Sequence, residues 1–232
     1  LRKIILFQTT VYSILVIIML SLVIEKYSWA LEMKDAIELP KPQYTNNTTI
    51  EEALYKRKSV RHYENEPLML SDISQLLWAA QGITRSGRFR TAPSAGALYP
   101  LEVYLVVGSV NKIPSGIYKY NPKAHSLMKI AVGDKRVELS NAALGQPWVK
   151  DGSIVIVFAG VFKRTERKYG DRSSRYVYME AGSAAQNVYL QAVSLNLGTV
   201  LVGAFDDKKV KGIMQMRSEE DPLIIMPVGR TE

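Results

Sequence analysis

Apolar and polar positions divide the chain into an N-terminal apolar run, a short polar bridge and a long stretch of interleaved helix and strand patterns. Residues 4–24 are a run of 21 without charge, preceded by Arg2 and Lys3. As a helix such a run spans roughly 31 Å, about one hydrocarbon core. The basic residues ahead of it predict an N-terminus inside and the remainder outside. Ser28-Trp29-Ala30 sets small residues at the −3 and −1 positions of a signal-peptidase cut, so residues 1–30 read either as a cleaved signal or as a retained anchor. The protein is therefore expected to be membrane-anchored or exported, with its N-terminal segment as the part that meets the membrane. Residues 31–48, with Pro40, Pro42 and Thr45-Asn46-Asn47-Thr48, read as a linker.

A folded domain over 49–232 is expected to follow. Thr49-x-x-Glu52 is a capping-box pattern that opens a first helix, and Ser71-Asp72 opens a second with Ile73, Leu76, Leu77 and Ala80 on one face and Gly82 as its stop. A strand pattern over 102–107 comes next, then a hairpin of 116–120 with 126–132 around Asn121-Pro122-Lys123 and a helix over 134–144. The near-continuous apolar run 153–161 reads as a strand buried on both faces. The longest helix pattern covers 174–196, with Ala181, Ala184, Ala185, Val188, Ala192 and Leu195 on one stripe. Small residues there allow close helix approach, so this helix is expected to be central, at the core or at a subunit interface. Strands over 199–202 and 222–228 flank a short helix opening at Asp206-Asp207. The pattern is that of an α+β domain.

Composition narrows the chemistry. The 232 residues contain no Cys and only two His, His62 and His125, which removes thiolate nucleophiles and cysteine-type metal sites. No metal site is expected, and neither His is assigned a role. A net charge of +8 favours anionic partners; no nucleic-acid partner is expected. The glycine signatures of dinucleotide-binding and P-loop folds are missing, and Ala92-Pro93-Ser94-Ala95-Gly96 lacks the first glycine of a serine-hydrolase elbow.

Three segments carry candidate chemistry. In Arg57-Lys58-Ser59-Val60-Arg61 an extended chain would present guanidinium, hydroxyl and guanidinium in a row, which suits a polyol phosphate; the same residues also fit an exposed basic helix end. In 91–100, small residues at Pro93-Ser94-Ala95-Gly96-Ala97 let backbone approach a flat ligand, while Tyr99, like Trp148, could face substrate or pack in the core. Residues 163–172, dense in Lys and Arg, read either as a solvated charged loop or, at Lys168-Tyr169, as a proton-handling pair.

Arg57-x-Ser59-x-Arg61, Pro93 to Pro100, Glu180-Ala181-Gly182 with Gln186-Asn187, Gly198 with Ala204-Phe205-Asp206, and Val228-Gly229-Arg230 occur in one order over about 49–230. That set resembles the nitroreductase superfamily and, within it, the SagB/ThcOx-type dehydrogenase branch. The resemblance implies a mixed sheet flanked by helices, a homodimer, FMN bound between the subunits and hydride transfer at the flavin N5. It also implies a small-molecule or peptide-derived substrate; a flavin-binding or sensing module without turnover is the alternative. By position, Arg57, Lys58, Ser59, Arg61 and Arg230 would serve the FMN phosphate, and Pro93, Ser94, Ala95 and Gly96 would lie along the ring. Leu201, Val202, Gly203 and Ala204 would supply backbone donors. Lys168 and Tyr169 match the catalytic pair of azoline-oxidising members. Leu201-Val202-Gly203-Ala204 stands where many simple nitroreductases carry Pro-x-Glu-Gly, a departure that weighs against plain nicotinamide-driven nitroreduction.

Overall fold

Two strands with opposite demands on their faces set the architecture. In β4 (Leu101–Val107) and β7 (Ile154–Gly160), residues 101, 103, 105, 107, 154, 156 and 158 enter one apolar cluster, while 104, 106, 155, 157 and 159 enter a second on the opposite face. A strand with apolar side chains on both faces must be covered twice, which is why 153–161 carries no alternation in its sequence. The computed structural model describes residues 36–85 and 89–231, together with Met19. Apart from Met19, the expected signal or anchor over 1–30 lies outside the described residues. Among the described residues no helix is long and apolar enough to cross a membrane.

Around β4 and β7 the sheet adds β1 (Ala36–Glu38), β5 (Gly116–Asn121), β6 (Ser126–Val132), β8 (Leu197–Thr199) and β9 (Asp221–Arg230) in the order β1-β6-β5-β4-β7-β9-β8. The pairings with a described register, β4 with β5 and β7, β5 with β6, and β9 with β7 and β8, are all antiparallel. One face is covered by α2 (Leu70–Gln81) and α6 (Ser173–Ser194), the other by α3 (Arg136–Ala142), α4 (Pro147–Asp151) and α7 (Asp207–Ile213). A two-stranded ribbon, β2 (Ile83–Arg85) with β3 (Phe89–Arg90), follows α2.

Helix α1 (Ile50–Lys56) starts where the capping pattern puts it, with Thr49 Oγ1 accepting from the Glu52 N–H at 3.1 Å. Glu52 turns to Lys56 instead of back to the cap, an i,i+4 pair at 2.6 Å. Three expectations change. Part of the expected linker belongs to the domain: residues 37–232 form one compact unit, Leu39 is buried, and the Gln43 N–H donates to Gln75 Oε1 at 2.9 Å. The stretch 163–172 is no loop, because α5 (Phe162–Tyr169) and a 3₁₀ turn (Gly170–Arg172) occupy it. The strand expected over 199–202 ends at Thr199, and Val202 keeps only an isolated bridge to Ile225.

Residues 57–64 run extended beside the end of the sheet. Val60 donates to the Thr199 carbonyl at 2.9 Å and Glu64 to that of Arg230 at 3.0 Å. This passage requires glycine beneath it: a Cβ on Gly198 would stand 2.7 Å from Val60 Cγ1, and one on Gly229 2.8 Å from Tyr63 Cβ. Gly229→Ala is therefore expected to destabilise the domain by about 1–3 kcal/mol through forced displacement of Tyr63. Gly212→Ala, in α7 with open space around it, should be neutral or stabilising by up to about 1 kcal/mol. Urea midpoints of the two variants check the pair; equal midpoints would show that 57–64 is not held at these glycines.

Candidate active site

The extended run 57–61 reaches α6 at Tyr189. Ser59 Oγ lies 3.1 Å from the buried Tyr189 hydroxyl, and the Arg57 guanidinium sits 5.3 Å over the Tyr189 ring. Arg61 stacks at 5.3 Å over Trp148 of α4, while Lys58 is exposed. Among the described residues Arg57, Lys58 and Arg61 form no ion pair with a carboxylate. Guanidinium groups stacked on aromatic faces beside a hydroxyl keep their charge and their forked donors for an anion.

The same Tyr189 hydroxyl accepts the Leu201 N–H at 2.8 Å, joining 57–59 to 201–204. It also reduces the expected donors from four to two: Leu201 is spent on Tyr189, and the Val202 N–H donates to the Ile225 carbonyl at 2.8 Å. Gly203 and Ala204 stay exposed, and their N–H groups have no partner among the described residues. Arg230 does not join the row. Its guanidinium donates to Asp72 Oδ2 at 3.2 Å and pairs with Glu66 at 3.7 Å, because β9 ends with its side chain toward the start of α2.

A second cluster forms around 94–99. Ser94 Oγ accepts the Tyr99 N–H at 2.9 Å, and the Ser94 carbonyl accepts from Ala97 at 3.0 Å. Gly96, Ala97 and Tyr99 have φ of 62°, 53° and 47°. Two of these carry a Cβ, and left-handed backbone costs each about 1–2 kcal/mol. Pro93 and Gly96 are exposed, Ala95 half-buried. Gly96 looks directly at the expected proton-handling pair: a Cβ there would stand 2.9 Å from both Lys168 Nζ and Tyr169 Oη.

Helix α5 is set in place by Arg164, which donates to the Tyr99 carbonyl at 3.0 Å and pairs with Glu102 of β4. Lys168 and Tyr169 follow one turn later, and the Tyr169 ring packs 4.8 Å from that of Tyr176. Tyr99 lies under Arg90, whose guanidinium is 4.3 Å over its ring. Asn187 of α6 donates to the Thr91 carbonyl at 3.2 Å, tying the approach to the loop down. His62 is exposed. His125 pins the N-terminal segment, with its ring 2.8 Å from Ser74 Oγ and 3.0 Å from the Pro40 carbonyl.

The two clusters flank one helix. Ala181, Ala184, Ala185, Val188 and Ala192 face the sheet, so the small-residue stripe is spent on this chain's own core. Glu180, 4% exposed, serves the 94–99 side, and Tyr189 serves the 57–61 side. Nine residues at 3.6 per turn separate them by about two and a half turns, on opposite flanks.

Comparison with known proteins decides the family, since the nitroreductase family model matches residues 54–230. The chain belongs to the nitroreductase family. It is 46% identical over 198 residues to the nitroreductase-like protein MJ1384 of Methanocaldococcus jannaschii, covering 85% of this chain and 98% of that protein. The crystal structure of a nitroreductase-like protein from Ralstonia eutropha superposes with a TM-score of 0.75 at 31% identity, covering 85% and 90% of the two chains. The microcin B17-processing protein McbC of Escherichia coli is 28% identical over 178 residues, 72% of this chain and 64% of McbC. Nitroreductase-family proteins are generally oxidoreductases and typically bind flavin. The residues here fit such a group: uncompensated guanidinium groups and a hydroxyl for a phosphate, two open backbone donors at Gly203 and Ala204, and a loop whose glycine leaves a flat approach beside Lys168 and Tyr169.

Glu180 supplies a measurable titration. Burial pushes its carboxyl up to about 7 from the usual 4.5, with Ser94, Arg90 and Gln81 pulling it back. A carboxyl whose folded pKa is raised favours folding fully below its unfolded value and loses that contribution as pH rises through the folded one. Relative to Glu180→Gln, the native domain should thus lose up to about 3 kcal/mol of stability between pH 5 and pH 8. Urea melts of both proteins at the two pH values test this; parallel behaviour would mean that Glu180 titrates normally.

Proposed function

We propose that this nitroreductase-family chain is an FMN-dependent oxidoreductase of the SagB/ThcOx dehydrogenase kind, acting as a homodimer on a small heterocyclic or peptide-derived substrate. The observation that carries the reading is the closeness of Lys168 Nζ and Tyr169 Oη to Gly96, which sets proton-handling groups on the loop where the flavin ring would lie. The likeness to McbC, a protein that processes microcin B17, favours a peptide-derived substrate.

When bound, FMN would accept or deliver a hydride at its ring. The chain's own residues do the remainder. Arg57, Ser59 and Arg61 hold the phosphate by charge-assisted hydrogen bonds, with Lys58 adding charge nearby. Gly203 and Ala204 offer N–H groups to the ring's polar edge, and Pro93 to Gly96 give a flat wall. Lys168 and Tyr169 take or return a proton on the substrate, with the hydroxyl as the donor or acceptor at the reacting atom and the Lys168 ammonium 5.5 Å over the Tyr169 ring. The phosphate row and the ring wall sit on opposite flanks of α6. A second copy laid against the first would bring one chain's row to the other's loop, which supports the dimer.

Flavin uptake tests the cofactor half. The purified protein should hold about one FMN per chain as a dimer, and Arg57→Ala or Arg61→Ala should weaken FMN by about 1.5–3 kcal/mol, the loss of a hydrogen bond to a charged group. Equilibrium titration by flavin fluorescence reads this, and protein that stays colourless with added FMN would end the reading.

The chemistry is tested separately. Lys168→Ala and Tyr169→Phe should keep flavin content yet lower substrate dehydrogenation by roughly 10²-fold or more, while quinone reduction, which needs no such base, persists. Full dehydrogenation by both variants would return Lys168 and Tyr169 to the solvated surface; flavin binding without any turnover in the native protein would favour a sensing module.

A further inference from the structure

At the start of β4 the ends of α2, β3 and β5 meet α5 around a cavity of about 290 Å³. Its walls carry Gln81, Arg90, Glu102, Tyr120, Lys123 and Arg164. Small-molecule sites run from about 300 to 1,000 Å³, so this one has room for an acidic group and not for a nucleotide. The carboxylate in the wall is already spent, because Glu102 pairs with Arg164 and, at 3.2 Å, with Lys119. The cations are not. Arg90 is half-buried and forms no ion pair among the described residues. Its Nη1 donates to Gln81 Oε1 at 2.7 Å and its face lies 4.3 Å over the Tyr99 ring, which leaves the Nε–Nη2 edge without a partner among the described residues. Burial works against this charge, and Glu180, itself held toward the neutral acid by burial, is first among the groups that support it.

Gln81 supplies an independent observation. It is fully buried, Arg90 takes its oxygen, and its Nε2 has no hydrogen-bond partner. The Oε1 of Glu180 is unpartnered too, and no bond joins it to Gln81. A buried donor left open is costly, and in the wall of a cavity an acceptor that enters relieves the cost. Lys123 completes the set from the turn after β5. Asn121 Oδ1 accepts the Lys123 and Ala124 N–H groups at 3.0 and 3.3 Å, which fixes the backbone there, and the exposed ammonium has no carboxylate partner among the described residues.

We propose that this cavity holds a carboxylate, the acidic side chain or chain terminus of a peptide-derived substrate, through the open Arg90 edge, the Gln81 Nε2–H and the Lys123 charge. A flat guanidinium edge matches the two oxygens of a carboxylate, and one further amide N–H suits that planar group better than a tetrahedral phosphate. Arg164 ties the cavity to the chemistry. It lies four residues before Lys168 on the same side of α5, a rise of about 6 Å, so an anchored carboxylate sits about one helical turn from the reacting pair. That the carboxylate belongs to a substrate rests on the oxidoreductase reading; the anion site does not.

Succinate titrated into the full chain without flavin, followed by the backbone amide signals of Arg90, Leu101, Glu102 and Lys123, reads the site directly. The shifts should saturate with succinate, stay absent with neutral succinamide and weaken with salt. Arg90→Gln should weaken succinate by about 10-fold or more, the loss of a charge-assisted pair. Lys123→Glu, an exposed change that leaves the turn intact, should weaken it by roughly 3-fold or more, and it keeps the test open if Arg90→Gln fails to fold. N-acetylglycine and amide-capped N-acetylglutamate separate a chain terminus from an acidic side chain by which of them binds more tightly. Shifts that rise without saturation, appear equally with succinamide or persist unchanged in Lys123→Glu would overturn the site, and inorganic phosphate binding more tightly than succinate would overturn the carboxylate. With FMN bound, succinate should raise KM for the dehydrogenated substrate at unchanged kcat; absence of competition would overturn the assignment to substrate. Saturable succinate binding in a chain that takes up no FMN would instead sink the oxidoreductase reading and leave the anion site standing.

Discussion

Everything in this domain that resembles a site hangs from one packing decision, the seating of α6 on the sheet through alanine. Ala181, Ala184, Ala185 and Ala192 are buried against β4, β7 and β9 side chains, and residues this small bring helix and sheet backbones close together. The close approach carries the flanking positions inward as well. Glu180 on one flank and Tyr189 on the other are buried although both are polar, and each must find partners from the segments that pass over it. A larger residue in the alanine stripe would lift the helix and pull Tyr189 away from Ser59 and Leu201 together.

The sheet's other end is fixed by charge. Glu220, almost fully buried, accepts from the Tyr104 hydroxyl at 2.5 Å and pairs with Lys119, which also reaches Glu102 at 3.2 Å. Glu102 then pairs with Arg164. A buried ion pair of this kind adds little net stability over apolar packing, but loss of one member leaves an uncompensated charge. Its contribution here is geometric. The chain of groups runs from the middle of the sheet to α5 and fixes the rotation of the helix that carries Lys168 and Tyr169.

What was legible in the sequence follows from how each feature announces itself. Helices α2 and α6 and strands β4 to β7 bury apolar faces at regular periods and are readable with ends shifted by a residue or two, whereas α1, with only Ala53 buried, is readable from its capping pattern. Helix α5 was hidden because only Thr165 within it is buried and five of its eight residues are charged; its order comes from Arg164 and from packing on α6. The residues 36–43 read as linker for a similar reason, since Leu39 is the only one of them fully buried and Ile37 packs only partly against the core. At the site, the row 57–61, the loop 93–96 and the Lys168-Tyr169 pair were visible as residue types in order. Tyr189 and Arg164 were not, because their roles arise from long-range contacts. Arg230 had the right type and order, but the carboxylates of Asp72 and Glu66 compete for it.

The two flanks of α6 also differ in what holds them, and that difference divides their work. On the Tyr189 side, residues 57–64 are paired backbone to backbone with Thr199 and Arg230 over glycines, in ordinary extended geometry. Such a segment is set by the fold and offers a fixed charge array, as the proposed phosphate site would require. On the Glu180 side, three left-handed residues in a row of four depend on single polar side chains, Ser94, Arg90 and Arg164. Strain held by side chains is the less rigid kind of support, so this flank is the one that can shift without disturbing the sheet. The pairing of a rigid anchor with a conditional wall follows from placing both on one helix and giving them different kinds of support.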